Sequence, residues 1–396
     1  MMSRLVPLRP DLTGLSGYHS AQVDVQVRLN TNESPLPPPD AWLEELRSEL
    51  SRVDFNRYPD RDAHALRQAL GEFHGVGPEE VFCAKGSNEV LQCLLLAYGG
   101  SGRCAALFEP TYALHRHIAS LTATEVASIW RAADYSLDLN EADALVERVR
   151  PIITFLCSPN NPTGRAEPPE VVSHLLERAP GLVVVDEAYG QFAPTSALDL
   201  RRPERRGTSR LVVVRTFSKT WSMAACRLGY LVGDPEVVEA CKSMALPYHL
   251  DAVTQMAGRL ALRHVAAMEE RVALVKEERG RICTALRELP VETWPSDANF
   301  VLFRPLKRSA KQVWNDLLEE SVLVRDCSEW RGLSECLRVT VGTAKENTRF
   351  LTALRSSLGH ASTKEHASTT EHAQTTERAS TTERAQTTER AQTGKR

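Results

Sequence analysis

The chain has 396 residues, 42% apolar and 25% charged, the composition of a globular enzyme long enough for two packed units. Lys and Arg number 48 against 51 for Asp and Glu, a net charge of −3, which argues against the basic field of a nucleic-acid-binding face. Nowhere does the sequence approach the ~18 apolar residues that cross a bilayer, and the opening MMSRLVPLRPDL lacks the apolar stretch of a secretory leader. Nine cysteines without a C-x-x-C pair suit reduced thiols better than a disulfide framework or a zinc site. The expectation is a cytoplasmic protein with no membrane or nucleic-acid partner.

In chain order, Gly86-Ser87-Asn88-Glu89 precedes a helical run at 90–97. Short runs at 152–157, 182–185, 211–214 and 228–232 are apolar on both alternations, as strands covered on both faces are. A helical pattern at 168–178 separates the first two, the βαβ rhythm of a parallel sheet. From 251 to about 289 the pattern is one long helical stretch. A strand at 299–303, a helix at 310–320, a strand at 336–341 and a closing helix at 345–358 follow. The expected organisation is an α/β fold with four parts. Residues 1–45 join a small domain, 46–250 form a large one, and 251–359 complete the small one. Residues 360–396 are hexamer repeats of the form [H/R]-A-[S/Q]-T-T-E without any Leu, Ile, Val, Phe, Tyr or Trp, and are expected to be disordered.

Polar residues gather where these strands end, and ligands of open α/β sheets bind at the carboxyl ends. Thr216-Phe217-Ser218-Lys219 ends the third run, with Arg227 shortly after. Hydroxyls and a guanidinium can hold a phosphate dianion, and the lysine can form a Schiff base with an aldehyde on the same ligand. Alone, this is also the pattern of a surface lysine after a strand. Asp186 ends the all-apolar second run in Val185-Asp186-Glu187-Ala188-Tyr189, where it can meet a pyridinium nitrogen or equally cap a helix or bind a metal. The loop Cys157-Ser158-Pro159-Asn160-Asn161-Pro162-Thr163-Gly164 is stiffened by its prolines and presents Asn161 as a donor or simply turns the chain. Gly86-Ser87 at a helix start can cradle phosphate or cap the helix.

Taken together, these pieces resemble the fold type I pyridoxal-phosphate aminotransferases, and within them the histidinol-phosphate aminotransferases. Further segments carry the resemblance: Tyr18 in SGYHS, Leu29-Asn30-Thr31-Asn32-Glu33-Ser34-Pro35, Asn56-Arg57-Tyr58-Pro59-Asp60, Pro110-Thr111-Tyr112, Pro247-Tyr248 and Leu337-Arg338-Val339-Thr340-Val341-Gly342-Thr343. It spans roughly residues 10 to 358. The resemblance implies a large domain with a mostly parallel seven-stranded sheet and a smaller α+β domain. It also implies pyridoxal 5'-phosphate as cofactor and a homodimer as the assembly. Lys219 would hold the cofactor and shuttle the proton, and Asp186 would protonate the pyridine nitrogen. Asn161 and Tyr189 would bond the phenolate oxygen and Tyr112 would stack on the ring. Ser87, Asn88, Thr216, Ser218 and Arg227 would surround the phosphate. Asn32 would lie by the substrate, Tyr58 would reach the neighbouring subunit's site, and Arg338 would clamp the α-carboxylate. Arg325 and Tyr18 would hold the substrate's distal phosphate.

The implied reaction is transamination between histidinol phosphate and 2-oxoglutarate, giving imidazole acetol phosphate and glutamate, physiologically in reverse. The chain departs from the family in Ser34, in Asn88 where Asp is commoner, and after Lys219, where Trp221, Ser222 and Cys226 are expected near the pocket wall. Alternatives are an aromatic amino-acid aminotransferase of the same family, a phosphoamino-acid decarboxylase and a non-catalytic cofactor-binding regulator.

Overall fold

The computed structural model describes residues 6, 8–15, 17, 21–201 and 208–359; Tyr18 and the repeat segment at 360–396 lie outside the described residues. The chain begins β1 (Val27–Leu29), α1 (Asp40–Leu50), α2 (His64–His74), β2 (Val81–Ala84) and α3 (Ser87–Tyr98). Next come β3 (Cys104–Glu109), α4 (Ala113–Leu121), β4 (Glu125–Trp130), α5 (Leu139–Val149) and β5 (Ile153–Cys157). They are followed by α6 (Pro169–Arg178), β6 (Leu182–Asp186), β7 (Leu211–Thr216), β8 (Gly229–Val232), α7 (Pro235–Met244) and α8 (Ala252–Ala261). The last elements are α9 (Val265–Arg287), β9 (Val291–Thr293), β10 (Phe300–Pro305), α10 (Ala310–Glu319), β11 (Val322–Asp326), β12 (Leu337–Thr340) and α11 (Ala344–Gly359).

Two sheets organise these elements. The larger has seven strands in the order β2-β8-β7-β6-β5-β3-β4. Its strands pair in parallel except at β8, which runs antiparallel to both β2 and β7. The smaller has five strands in the order β1-β11-β12-β10-β9. There β1 pairs in parallel with β11, and the other pairs are antiparallel. The α/β fold with a mostly parallel seven-stranded sheet is therefore present as the sequence indicates.

Burial explains the doubly apolar strands. Val184, Val212 and Val214 pack on one face with residues of α3, α4 and α7. Val183, Val185 and Val213 pack on the other with α5 and α6. Each such side chain contributes roughly 1.5–3 kcal/mol when fully buried. The alternation of a β-strand sends successive valines to opposite faces, so polar residues concentrate beyond the helical cover, buried Thr154 at the start of β5 being an exception. The positions beyond the cover are the ends of β5, β6 and β7.

The single helical stretch expected from 251 to 289 is corrected to two helices, α8 and α9, broken at 262–264. The two pack on different partners. α8 packs on α1 and α2, and Trp42 Nε1 donates to the Ala257 carbonyl at 3.1 Å. Gly258 lets it come close, since a Cβ there would lie 2.3 Å from Leu228 Cδ2. α9 instead packs on β9, β10 and α11.

Candidate active site

The carboxyl ends of β5, β6 and β7 open into a cavity that the N-terminal segment and β12 close from the other side. β7 delivers Lys219, which is half-buried, and its Nζ donates to the Thr31 carbonyl at 3.1 Å. Burial foremost, then the Arg338 guanidinium, pushes its ammonium down to about 7; Glu33 opposes the shift and Arg227 adds to it. An amine at that value is about half free base at neutral pH.

β6 ends in Asp186, which is 1% exposed. Its Oδ2 pairs with His115 Nε2 at 3.0 Å, and its Oδ1 accepts from the Ala188 N–H at 3.1 Å. His115 is itself fully buried, stacked on Phe155 at 4.8 Å and edge-on to Tyr112 at 5.5 Å. A carboxylate so enclosed needs its partners, because an unsatisfied buried charge costs several kcal/mol.

The loop after β5 brings in Asn161. Its Nδ2 donates to the Tyr189 hydroxyl at 3.4 Å, and its Oδ1 accepts from Arg338 Nη1 at 2.5 Å. The Tyr189 hydroxyl also accepts from Asn32 Nδ2 at 3.0 Å. Burial pushes the Tyr189 phenol upward. Asn32 adopts φ 53°, a left-handed conformation that Asn tolerates, and its N–H donates to Thr340 Oγ1 of β12 at 3.0 Å. This turn carries the N-terminal segment from the small sheet into the cavity.

An anion cradle lies at the start of α3. Ser87 and Asn88 form its first turn, and Tyr112 donates to Asn88 Oδ1 at 3.1 Å. Thr216 Oγ1 bonds Ser218 Oγ at 3.0 Å, and Ser218 Oγ accepts from Arg227 Nη1 at 3.1 Å. Gly86 has φ +81°, and a Cβ on it would stand 2.7 Å from Arg227 Nη2, so glycine admits the guanidinium. Helix N–H groups, two hydroxyls and a guanidinium together form a site for a phosphate dianion.

Arg338, on β12 and 3% exposed, enters from the small sheet. Its Nη2 donates to the Asn30 carbonyl at 3.1 Å, its guanidinium lies 5.0 Å over the Phe300 ring, and its buried Nε has no hydrogen-bond partner.

The structure thus brings Ser87, Asn88, Tyr112, Asn161, Asp186, Tyr189, Thr216, Ser218, Lys219, Arg227, Asn32 and Arg338 to one cavity. Arg325 does not line it; it is buried on β11, directly opposite Arg338. Tyr58 does not line it either, being 79% exposed and stacked on Tyr248 at 4.3 Å. The expected wall of Trp221, Ser222 and Cys226 is corrected. Trp221 is buried against Phe217 at 5.3 Å and Phe73 at 5.9 Å, because its ring gains more from the apolar core than from a polar cavity. Ser222 is bonded to Ser34, and neither it nor Cys226 lines the site. Thr31, Cys157 and Ala188 line the cavity and His115 stands behind it, all missed in the sequence. For His115 the available signal was its place three residues after Tyr112 at the start of a helix.

The profile of the family described as aminotransferase class I and II matches residues 24–354. A curated histidinol-phosphate aminotransferase from Frankia casuarinae is 45% identical over 370 residues, 89% of this chain and 90% of that protein. Another from Thermobifida fusca is 45% identical over 364 residues, covering 90% and 96%. The chain belongs to the histidinol-phosphate aminotransferase family. Solved structures share the family's fold more widely. Histidinol-phosphate aminotransferase from Sinorhizobium meliloti, in complex with pyridoxal-5'-phosphate, has a TM-score of 0.80 at 22% identity, covering 90% of this chain and 99% of that one. L-threonine-O-3-phosphate decarboxylase from Porphyromonas gingivalis reaches 0.72 at 25%, covering 83% and 98%. The fold is therefore common to aminotransferases and decarboxylases, and does not choose between their reactions. Among the described residues, no helix is long and apolar enough to cross a membrane.

Proposed function

We propose that the chain is a pyridoxal 5'-phosphate-dependent aminotransferase that exchanges the amino group of histidinol phosphate with 2-oxoglutarate, forming imidazole acetol phosphate and glutamate, and runs in the opposite direction in histidine biosynthesis. The observation that carries this is the placement of Lys219 in one cavity with the anion cradle at α3, the buried Asp186–His115 pair and Arg338, where burial lowers its ammonium to about 7. These groups fit the cofactor: the cradle suits its phosphate, Asp186 its pyridinium nitrogen, Tyr189 and Asn161 its phenolate oxygen and Lys219 its aldehyde. Bound pyridoxal phosphate supplies a ring that takes up the electron pair released when the substrate's Cα–H bond breaks.

The chain's own residues do the rest. Lys219 takes the Cα proton as a base whose pKa is matched to neutral pH. Asp186, fixed by His115, presents its carboxyl to the ring position. Tyr112 covers the ring face. Arg338 offers a fork to the α-carboxylate, a geometry a lysine does not reproduce. Asn32 and Asn161 both hold Tyr189, and Asn161 also holds Arg338. Arg325, with Tyr18, is assigned to the distal phosphate of the larger substrate; since Arg325 does not line the cavity, this role requires the substrate to extend beyond it toward β11.

The assembly is a homodimer. Support comes from the exposed aromatic pair Tyr58 and Tyr248, flanked by Phe55 and Leu246, which are 75% and 77% exposed. In this reading Tyr58 completes the partner's site, so its distance from the protomer's own cavity is no obstacle. The large domain is taken as 46–250, and the small one as 1–45 with 251–359. The enzyme is placed in the cytoplasm.

The test is glutamate formation from histidinol phosphate and 2-oxoglutarate by the purified holoenzyme, followed with glutamate dehydrogenase. The wild type is expected to turn over, and Lys219→Ala to lose at least about 10⁴ in kcat. No glutamate from the wild type would overturn the reading.

A further inference from the structure

β11 and β12 are joined by a loop, residues 327–336, whose tryptophan has no part in the function above. At the foot of that loop Arg325 and Arg338 face each other directly in the antiparallel register. Both are buried, 9% and 3% exposed. Like charges directly opposite on neighbouring strands repel, more strongly away from water. Trp330 answers this arrangement. The Arg325 guanidinium lies 5.1 Å from its ring centroid and that of Arg338 lies 5.9 Å from it. One half-buried indole therefore faces both cations.

The loop is also held from the other sheet. Arg331 lies 5.2 Å over the ring of Trp130, which ends β4, and its Nη1 is 3.6 Å from Glu109 Oε2 at the end of β3. Gly332 has φ +76°, and a Cβ there would meet the Trp130 ring at 2.9 Å, so the backbone sits directly on it. Within the loop the Trp330 N–H donates to the Cys327 carbonyl at 2.9 Å, and the Leu333 N–H to the Trp330 carbonyl at 3.0 Å. Trp330 thus stands on a short, anchored segment and not on a free one.

We infer that Trp330 is a positioning residue for substrate anions: its indole ring holds the Arg325 and Arg338 guanidinium groups for a carboxylate and a phosphate. This rests on the reading that these two arginines receive the substrate's anionic ends. A cation–π contact of this kind acts first on binding, since Trp330 reaches Lys219 only through the Arg338 charge, which the variants keep. Its loss therefore appears in KM more than in kcat.

The experiment compares Trp330→Leu, which keeps an apolar side chain without a π face, with Trp330→Phe, which keeps a ring. In the holoenzyme W330L is expected to raise KM for both glutamate and histidinol phosphate by about 10- to 30-fold, with kcat within about threefold of wild type. W330F should recover most of that loss. Arg331→Ala, which frees the loop from Trp130, should shift KM in the same direction by less. Unchanged KM in W330L, equal losses in W330L and W330F, or a fall confined to kcat would each overturn the proposal. Calorimetric titration of the holoenzyme with 2-oxoglutarate gives the same comparison without turnover. If the wild type makes no glutamate from histidinol phosphate, the functional reading falls, while weaker 2-oxoglutarate binding in W330L still decides for Trp330 and equal binding against it.

Discussion

Replacing Lys219 with methionine should stabilise the cofactor-free protein, and do so more at pH 6 than at pH 10. The folded ammonium titrates near 7, while in the unfolded chain it returns to the ordinary 10.5. Between those values the unfolded state binds a proton that the folded state has released, so the lysine's contribution to stability rises with pH across the window. Below about 7 both states are charged and the full penalty of burying the cation is present. Above 10.5 both are neutral and the penalty is gone. At 1.36 kcal/mol per pKa unit the ceiling is about 5 kcal/mol, and solvent reaching a half-buried amine lowers this to about 2–4 kcal/mol. Methionine keeps an unbranched side chain one atom shorter and removes the charge. Urea unfolding of the two apo-proteins at pH 6, 8 and 10 measures the gap, since every other titrating group cancels in the comparison. The gap should be widest at pH 6 and should close toward pH 10. Parallel stability curves would refute both the burial of this amine and its role as a neutral-pH base.

Arg338→Lys removes the fork while keeping the charge; losing one charged hydrogen bond to the α-carboxylate should lower kcat/KM for glutamate by about 10- to 100-fold in the half-reaction, and an unchanged value would sink the assignment. His115→Phe preserves the stack on Phe155 but leaves the buried Asp186 carboxylate short of a partner, so about 1–3 kcal/mol of stability should disappear in urea titrations of the holoenzyme; a change below about 0.5 kcal/mol would show the pair to be dispensable. Inactive Lys219→Ala and weakened Tyr58→Ala chains, co-expressed, should form hybrids with one site that has both residues if Tyr58 acts on its partner. Recovered activity is the expected outcome, and none would place Tyr58 outside the neighbouring site.

The parts of the molecule that read easily from sequence are those where one physical demand dominates. β5, β6 and β7 show as runs apolar on both alternations because both faces are covered, and their first polar residues mark the cavity. Other elements are governed by context. β2 is apolar throughout but only four residues long, too short to stand out beside its neighbours, and β4 lies at the sheet edge with half-exposed residues, so it lacks the doubly apolar signal. β8 is equally apolar read in either direction, so its antiparallel course appears only in the pairing. The break at Leu262-Arg263-His264 contains neither Gly nor Pro, and goes with the different partners on which the two helices pack. In the site, chemically specialised residues at strand ends were legible by type. His115 was not, since a histidine inside an amphipathic helix looks the same whether it faces water or a buried carboxylate. The opposition of Arg325 and Arg338 needs the register of two strands that enclose a loop. Trp221 was misplaced because an aromatic ring beside the lysine loop suits a pocket wall and a core equally well on sequence alone.

The most direct test of the functional reading is a comparison of amino donors in single half-reactions. The holoenzyme is mixed separately with histidinol phosphate, phenylalanine and tyrosine, and the cofactor's absorbance change gives kcat/KM for each. The account predicts that histidinol phosphate is preferred by about 100-fold or more, corresponding to about 2.7 kcal/mol of transition-state discrimination from the anion-binding groups. An equal or greater value for phenylalanine or tyrosine would contradict it.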